Sequence, residues 1–258
     1  MAWGACVIEV EDGEVLLDLD ADAVLPTASV GKVLLLVEVA RRVHAGELDP
    51  AEPLPRTPAD AVGDSGLWQH LRVPALPVAD LAVLVAAVSD NLATNVLLRR
   101  VGLDAVAATA RSVGLRATAL HDVVRDVRTP ADPPALSSGS AAELAGLFAR
   151  LAAGAAISAE VSATVNGWLA TGTDLSMVAG ALGLDPLAHV AADRSVVLRN
   201  KTGTDPGVRA DVGWLRAGGT TLAYAVLAAW PPDRDERDPV LAAMRALGAQ
   251  LRDRLRAA

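Results

Sequence analysis

The sequence predicts an α/β (α+β) fold: one antiparallel five-stranded sheet with a large all-helical subdomain inserted into it. Three observations predict it. Two strand-like runs open the chain and three close it; the apolar period between them is helical; and the two groups of strands satisfy their edges only by joining one sheet. Residues 1–25 and 193–258 are expected to form the discontinuous sheet subdomain and 26–192 the helical one, with a cleft where the two meet.

Ala5-Cys6-Val7-Ile8-Glu9-Val10 reads as a strand, Asp12-Gly13 as a turn, and Val15 to Leu19 as the returning strand. After a short connection, Pro26-Thr27-Ala28-Ser29-Val30-Gly31-Lys32 leads into an apolar helix that ends near His44, before Gly46. Residues 49–75 are rich in Pro, Asp and Gly and are expected to be irregular. Three helices are expected over Leu81–Val88, Ala93–Val101 and Asp104–Val113, the last two closed by Gly102 and Gly114. Pro130, Pro133 and Pro134 make residues 120–136 a long loop, and a loop of that length in a compact domain is usually functional. Helices follow over Ser140–Ala152 and Ser158–Leu169, then a short apolar segment over Asp174–Gly183. At Ser195 the period changes to that of strands: Ser195–Thr202, Arg209–Leu215 and Thr220–Trp230. Val240 to Leu255 is an amphipathic helix.

With 52% hydrophobic and 21% charged residues, the chain is a packed globular protein. Aromatics are only 3%, so the helices pack through Ala, Val and Leu. A net charge of −8 without a basic block disfavours a nucleic-acid partner, and none is expected. Cys6, the single cysteine, allows no intrachain disulfide and is expected to be a buried small hydrophobe. The four histidines have no ligand spacing and no Gly-rich phosphate loop is present, so neither a metal nor another cofactor is expected. No basic n-region, long h-region or apolar run of transmembrane length is visible. As written, the chain is expected to be cytoplasmic with no membrane span; a secreted chain whose leader had been cleaved would read the same.

Three motifs carry chemistry. In the first, Ser29 stands three residues before Lys32, which places a hydroxyl and an amine on one face of a helical turn. A Ser hydroxyl is a weak nucleophile until a base lies beside it, and a lysine among apolar neighbours has its pKa lowered towards that role. In the second, Ser89-Asp90-Asn91 lies between two apolar helices. Ser89 supplies a hydroxyl to pass a proton to a leaving group, Asn91 an amide for Lys32 and a substrate carbonyl, and a Ser or Asp here also serves as a helix N-cap. In the third, Lys201-Thr202-Gly203-Thr204 lies on a late strand. Gly203 lets a substrate approach the backbone. Lys201 and Thr202 suit a carboxylate and can polarise Ser89, and the N–H groups of Thr204 and Ser29 suit an oxyanion.

Ser-x-x-Lys, Ser-Asp-Asn and Lys-Thr-Gly in this order resemble the serine β-lactamase and penicillin-binding protein superfamily, and are most similar to its class A members. The interval from Ser29 to Ser89 and the continuation Leu-Ala-Thr-Asn share that likeness, which extends from about Cys6 to Leu251. The resemblance implies a class A β-lactamase-like fold with helices flanking the sheet. It also implies a small-molecule substrate, a β-lactam, peptide or ester, that acylates Ser29. Lys32 would deprotonate Ser29, Ser89 would relay the proton, and Lys201 would hold Ser89 and the substrate carboxylate. Arg209 would pair with that carboxylate or, alternatively, with Asp211. Asn95 would anchor the long loop.

The pattern breaks in that loop. Class A enzymes carry there a Glu, with an Asn four residues on, that together hold the water hydrolysing the acyl-enzyme. Here the Glu position falls near Val124 and the Asn position near Arg128. Asp122 and Asp126 are the nearby carboxylates, expected to pair with Arg125 or Arg128, and His121 is expected to be a solvated loop residue. Acylation with poor deacylation is therefore the expected activity. The alternatives are an esterase, amidase or acyltransferase acting on a cytoplasmic metabolite, and a non-catalytic ligand-binding homologue. The chain also begins almost at its first strand, without the N-terminal helix of class A members. That would bare an apolar face of the C-terminal helix for a second subunit to cover, so a homodimer is expected.

Overall fold

Strand β1 (Ala2–Glu9) turns back through Asp12-Gly13 into β2 (Val15–Leu19), as the alternation of apolar residues requires. In the computed structural model, which describes the backbone of residues 1–257 and the side chains of 1–256, the rest of this sheet arrives from the far end of the chain. A two-residue strand β3 (Leu25–Pro26) leads into a 3-10 turn over Ala28–Gly31 and helix α1 (Lys32–His44). Short strands β4 (Pro53–Pro55) and β5 (Ala75–Pro77) bracket the irregular stretch. Helices α2 (Val78–Val88), α3 (Asn91–Val101) and α4 (Leu103–Ser112) follow. Strands β6 (Ala119–Leu120) and β7 (Ser137–Gly139) flank the long loop, and β7 pairs with both β6 and β3. Next come α5 (Ala141–Ala152) and α6 (Ala159–Leu169), then a 3-10 turn over Val178–Ala181. Strands β8 (Val197–Asp205), β9 (Val208–Ala217) and β10 (Thr220–Ala229) and helix α7 (Arg237–Ala257) close the chain.

The main sheet runs β2-β1-β10-β9-β8 with antiparallel neighbours throughout, so β1 lies against β10 and the two ends of the chain share one sheet. Both faces are buried. Along β10, Ala223, Ala225 and Leu227 join the core shared with the helices, whereas Leu222, Tyr224, Val226 and Ala228 join a second core beneath α7. Each fully buried Leu or Val contributes about 1.5–3 kcal/mol to such a core. Cys6 is buried in it; burial, with Asp18 and Asp22 adding, pushes its thiol up to about 11, so it is an inert apolar filler.

Two parts of the inserted segment also pack on elements that lie outside it. Helix α5 packs on β10, β1 and β9, and the Val178–Ala181 turn packs on α7. The second packing removes the reason given for a dimer. Val240, Met244, Leu251 and Leu255 of α7 are buried, and no large apolar side chain of α7 is exposed among the described residues. Among the described residues no helix is long and apolar enough to cross a membrane.

Candidate active site

Ser29 sits in the 3-10 turn before α1, and a residue far along the chain fixes that turn. The Ser137 hydroxyl donates to the Ala28 carbonyl at 2.6 Å and lies 2.7 Å from Thr27 Oγ1, while the Thr27 N–H donates to the Ser137 carbonyl at 3.1 Å. Ala28 is held at φ 47°, a left-handed conformation costly for alanine, and Ser89 and Asp64 around the same cleft are left-handed too. Strain gathered at one cleft marks it as a place where the fold overrides local preference.

The second motif closes α2 and opens α3. Asp90 is the cap: its carboxylate accepts from Ala93 N at 2.9 Å and from Leu67 N and Trp68 N at 2.8 Å each. That leaves Ser89 and Asn91 free to face the lysines. Lys32 Nζ donates to the Ser89 carbonyl and to Asn91 Oδ1, each at 2.7 Å, and lies 3.3 Å from Ser89 Oγ. Lys201 Nζ reaches Ser89 Oγ from the sheet side at 3.1 Å and donates to its neighbour's carbonyl at Thr202 at 2.7 Å. Both amines thus converge on one hydroxyl, whose single proton is left to donate into the cleft. Ser29 Oγ has no hydrogen-bond partner among the described residues and opens on that cleft.

Burial, then the charge of Lys201, holds the Lys32 ammonium well below its ordinary value, against the pull of Asp90 and Asp64. Burial also brings Lys201 down to about 8, with Asp174 and Asp211 opposing. Asp211 is wholly buried; it accepts from Tyr224 OH at 3.0 Å, Asn200 Nδ2 at 3.1 Å and Val178 N at 2.9 Å, and burial pushes it up to about 7.

The cleft measures about 650 Å³. Ser29, Ser89, Asn91, Lys201, Thr202 and Thr204 line it, and Lys32 lies fully buried behind. Gly203 carries β8 past the Ser29 turn: a Cβ there would stand 2.2 Å from the Thr27 carbonyl oxygen and 3.1 Å from Ser29 N. Arg209 is placed elsewhere. Its guanidinium donates to the carbonyls of Asp205 at 3.1 Å and Val208 at 2.7 Å, lies 5.9 Å from the Trp230 ring, and faces a neighbouring depression of about 450 Å³. It makes no pair with Asp211, which is spent within the core, so that alternative is corrected.

The long loop closes the opposite wall. Asn95 grips Val124 by both backbone groups, accepting from its N–H at 2.8 Å and donating to its carbonyl at 3.0 Å. Asp122 pairs with Arg125 at 2.7 Å and Arg128 at 2.8 Å, and its carboxyl is held below the usual range because these bonds outweigh burial. Asp126 accepts from Gly63 N at 2.8 Å. His121 is exposed and lies 2.8 Å from Ser138 Oγ.

Sequence reasoning missed Asp174, Asp64, Thr27 and Ser137. Thr202 Oγ1 donates to Asp174 Oδ2 at 2.7 Å, while Ser176 donates to Oδ1 from its hydroxyl at 2.7 Å and its N–H at 3.0 Å. The cleft walls withhold water from Asp174 and push it up, but the bonds from Ser176 and Thr202 and the charge of Lys201 prevail and keep it below its ordinary value. No local pattern signals this residue, because its partner lies 28 positions away.

A family model described as the β-lactamase enzyme family matches residues 2–255. The structure is similar to a β-lactamase from Sphaerobacter thermophilus, with a TM-score of 0.84 and 26% identity over 98% of this chain and 91% of that one. It is similar in fold to PBP-A, with a TM-score of 0.84 and 19% identity over 100% of this chain and 91% of that one. A curated protein of Streptomyces cacaoi, the β-lactamase regulatory protein BlaB, is 30% identical over 119 residues, which span 45% of this chain and 38% of that protein.

Proposed function

The chain belongs to the β-lactamase enzyme family, and on that premise we propose that it forms a covalent acyl-enzyme at Ser29 with small amide or ester substrates and releases it slowly. The observation that carries this reading is the meeting of both lysine amines on the Ser89 hydroxyl, beside an unpaired Ser29 hydroxyl in one cleft.

The Ser29 oxygen attacks the substrate carbonyl carbon while its proton passes to the neutral Lys32 amine one helical turn on, a contact that the unliganded site does not make and that closes when substrate binds. Burial and the nearby Lys201 charge favour that neutral form. As the tetrahedral intermediate collapses, Ser89 gives its proton to the leaving nitrogen or oxygen and takes the proton held by Lys32 across their 3.3 Å contact. The N–H groups of Ser29 and Thr204 receive the oxyanion. Lys201 keeps its charge beside Ser89 and leaves no net proton behind. Hydrolysis of the resulting ester needs an oriented, deprotonated water. The loop offers the Val124 side chain, an Arg128 tied to Asp122 and an Asp126 tied to Gly63 N, so the ester outlasts its formation.

Intact-mass spectrometry over time after mixing with benzylpenicillin and, separately, a fluorophosphonate tests this. An adduct on Ser29 that is absent from Ser29→Ala is expected with at least one reagent. No adduct with either, or equal labelling of Ser29→Ala, would falsify the reading.

A further inference from the structure

The motif chemistry assigns Lys201 and Thr202, and the resemblance Lys201 and Arg209, to a substrate carboxylate, and the structure shows all three engaged otherwise. A threonine hydroxyl has one proton, and Thr202 gives it to Asp174 Oδ2 at 2.7 Å. Lys201 spends two of its three donors on Ser89 and the Thr202 carbonyl, with Asp174 and Asp211 as its counter-charges. Arg209 is turned into the next depression by the carbonyls of Asp205 and Val208. The cleft's other cations, Arg125 and Arg128, are both bound to Asp122. What faces the open space beside Thr204 is a further carboxylate on each wall, Asp64 and Asp205.

We propose that Asp174 occupies the anion position of this cleft and so selects its substrates: the acyl donors are esters and amides whose leaving side carries no carboxylate. This rests on the acyl-enzyme reading above and deepens it. A substrate carboxylate directed at Thr202 finds no hydroxyl proton to accept and a fixed like charge in the same place. A neutral or cationic leaving side meets neither obstacle. Asp174 is held from two sides, by Ser176 and Thr202, so it does not swing away to admit an anion. Its role is to decide which substrate is bound, and Ser29, Lys32 and Ser89 carry the chemistry whichever substrate arrives.

The test measures acylation of Ser29 by two matched pairs, benzylpenicillin against its methyl ester and 4-acetoxybenzoate against its methyl ester. Each pair differs only in a carboxylate on the leaving side. The wild-type protein is expected to react with the methyl ester at least about tenfold faster than with the free acid, from like-charge repulsion. In Asp174→Asn, and in Asp174→Ser should the first fold poorly, the ester-to-acid ratio is expected to drop by about tenfold, because the fixed charge is gone. A wild-type ratio near unity, a faster free acid, or a ratio unchanged in both variants overturns the proposal. A fluorophosphonate separates the two levels. If it labels Ser29 while all four compounds fail, this inference alone falls; if it too fails, the acyl-enzyme reading falls and takes this one with it.

Discussion

At the scale of single residues, the site is a problem of where protons reside. Lys201 is useful to Ser89 only while charged, and burial has brought it down to about 8. Labelling of Ser29 by a neutral ester should therefore decline above about pH 8, as Lys201 loses its proton. Asp174 favours the charged form, so Asp174→Asn should move that decline to lower pH. A pH profile of the labelling rate reads both, and an unmoved or upward-moved limb in the variant would contradict the pairing of Asp174 with Lys201. Gly203 is a second single-residue test. A methyl group 2.2 Å from the Thr27 carbonyl oxygen has nowhere to go, because backbone faces backbone. Gly203→Ala should cost about 1–3 kcal/mol or more in a denaturant melt, as overpacked sites do. It should also slow labelling of Ser29, whose N–H lies 3.1 Å from the same point. A variant as stable and as reactive as the parent would mean that β8 does not brace the Ser29 turn.

At the scale of elements, the long loop is pinned at several points. Asn95 bonds both backbone groups of Val124, and Asp122 ties down Arg125 and Arg128. Replacing Val124 by Glu and Arg128 by Asn would restore the pair that class A enzymes carry there, on a backbone already gripped by Asn95. The double substitution is expected to shorten the life of the Ser29 adduct by about tenfold or more, since positional error of about 1 Å alone can cost about 100-fold. Adduct decay followed by intact mass decides it, and an unchanged lifetime would mean the loop does not present its side chains to the acyl group. The pairing of Asp122 with Arg125 and Arg128 was legible in the sequence, because the three are near neighbours in the chain, whereas Asp126, expected to pair with the same arginines, instead accepts from the distant Gly63 N–H. The strands and helices were legible too, because their periods of two and of 3.6 are written in the apolar residues. Helix starts were legible only approximately. Helix α2 begins at Val78, three residues before the apolar run suggested, where the Val78 and Ala79 N–H groups donate to the Glu52 and Pro50 carbonyls at 3.0 Å each, and α3 begins at Asn91 because Asp90 caps it. What the sequence hid are contacts between distant segments: Ser137 on Ala28 and Asp174 on Thr202. Two-residue strands such as β3 and β6 carry no period at all, so the small sheet that fixes the Ser29 turn left no trace in it.

At the scale of the whole molecule, the site joins groups from opposite parts of the fold, and this constrains how the protein can unfold. Ser29, Lys32 and Ser89 stand at the ends of α1 and α2, whereas Lys201 and Thr202 belong to an edge strand of the sheet. Their contacts of about 3 Å survive only if the two parts do not slide. The cores supply the rigidity. One continuous cluster contains Leu34, Leu36, Val85 and Leu97 of the helices together with Val212, Ala225 and Leu227 of the sheet. Helix α5, from within the inserted segment, lies across β1, β9 and β10. Melting of α5 would strip the cover from the face of the sheet that the shared core occupies. A chain of 258 residues exceeds the size at which single-step unfolding is the rule, so separate transitions for the sheet and for the helices would be unremarkable. The shared core predicts otherwise: one calorimetric transition, with van't Hoff and calorimetric enthalpies in agreement, and helical and aromatic signals lost together. Acylation of Ser29 should raise that single midpoint without splitting it, because the adduct touches both parts of the fold. Two transitions in the unmodified protein, with the helical signal lost first, would show that the parts are held only by the site, and the fixed geometry argued for Ser89 between its two lysines would lose its support.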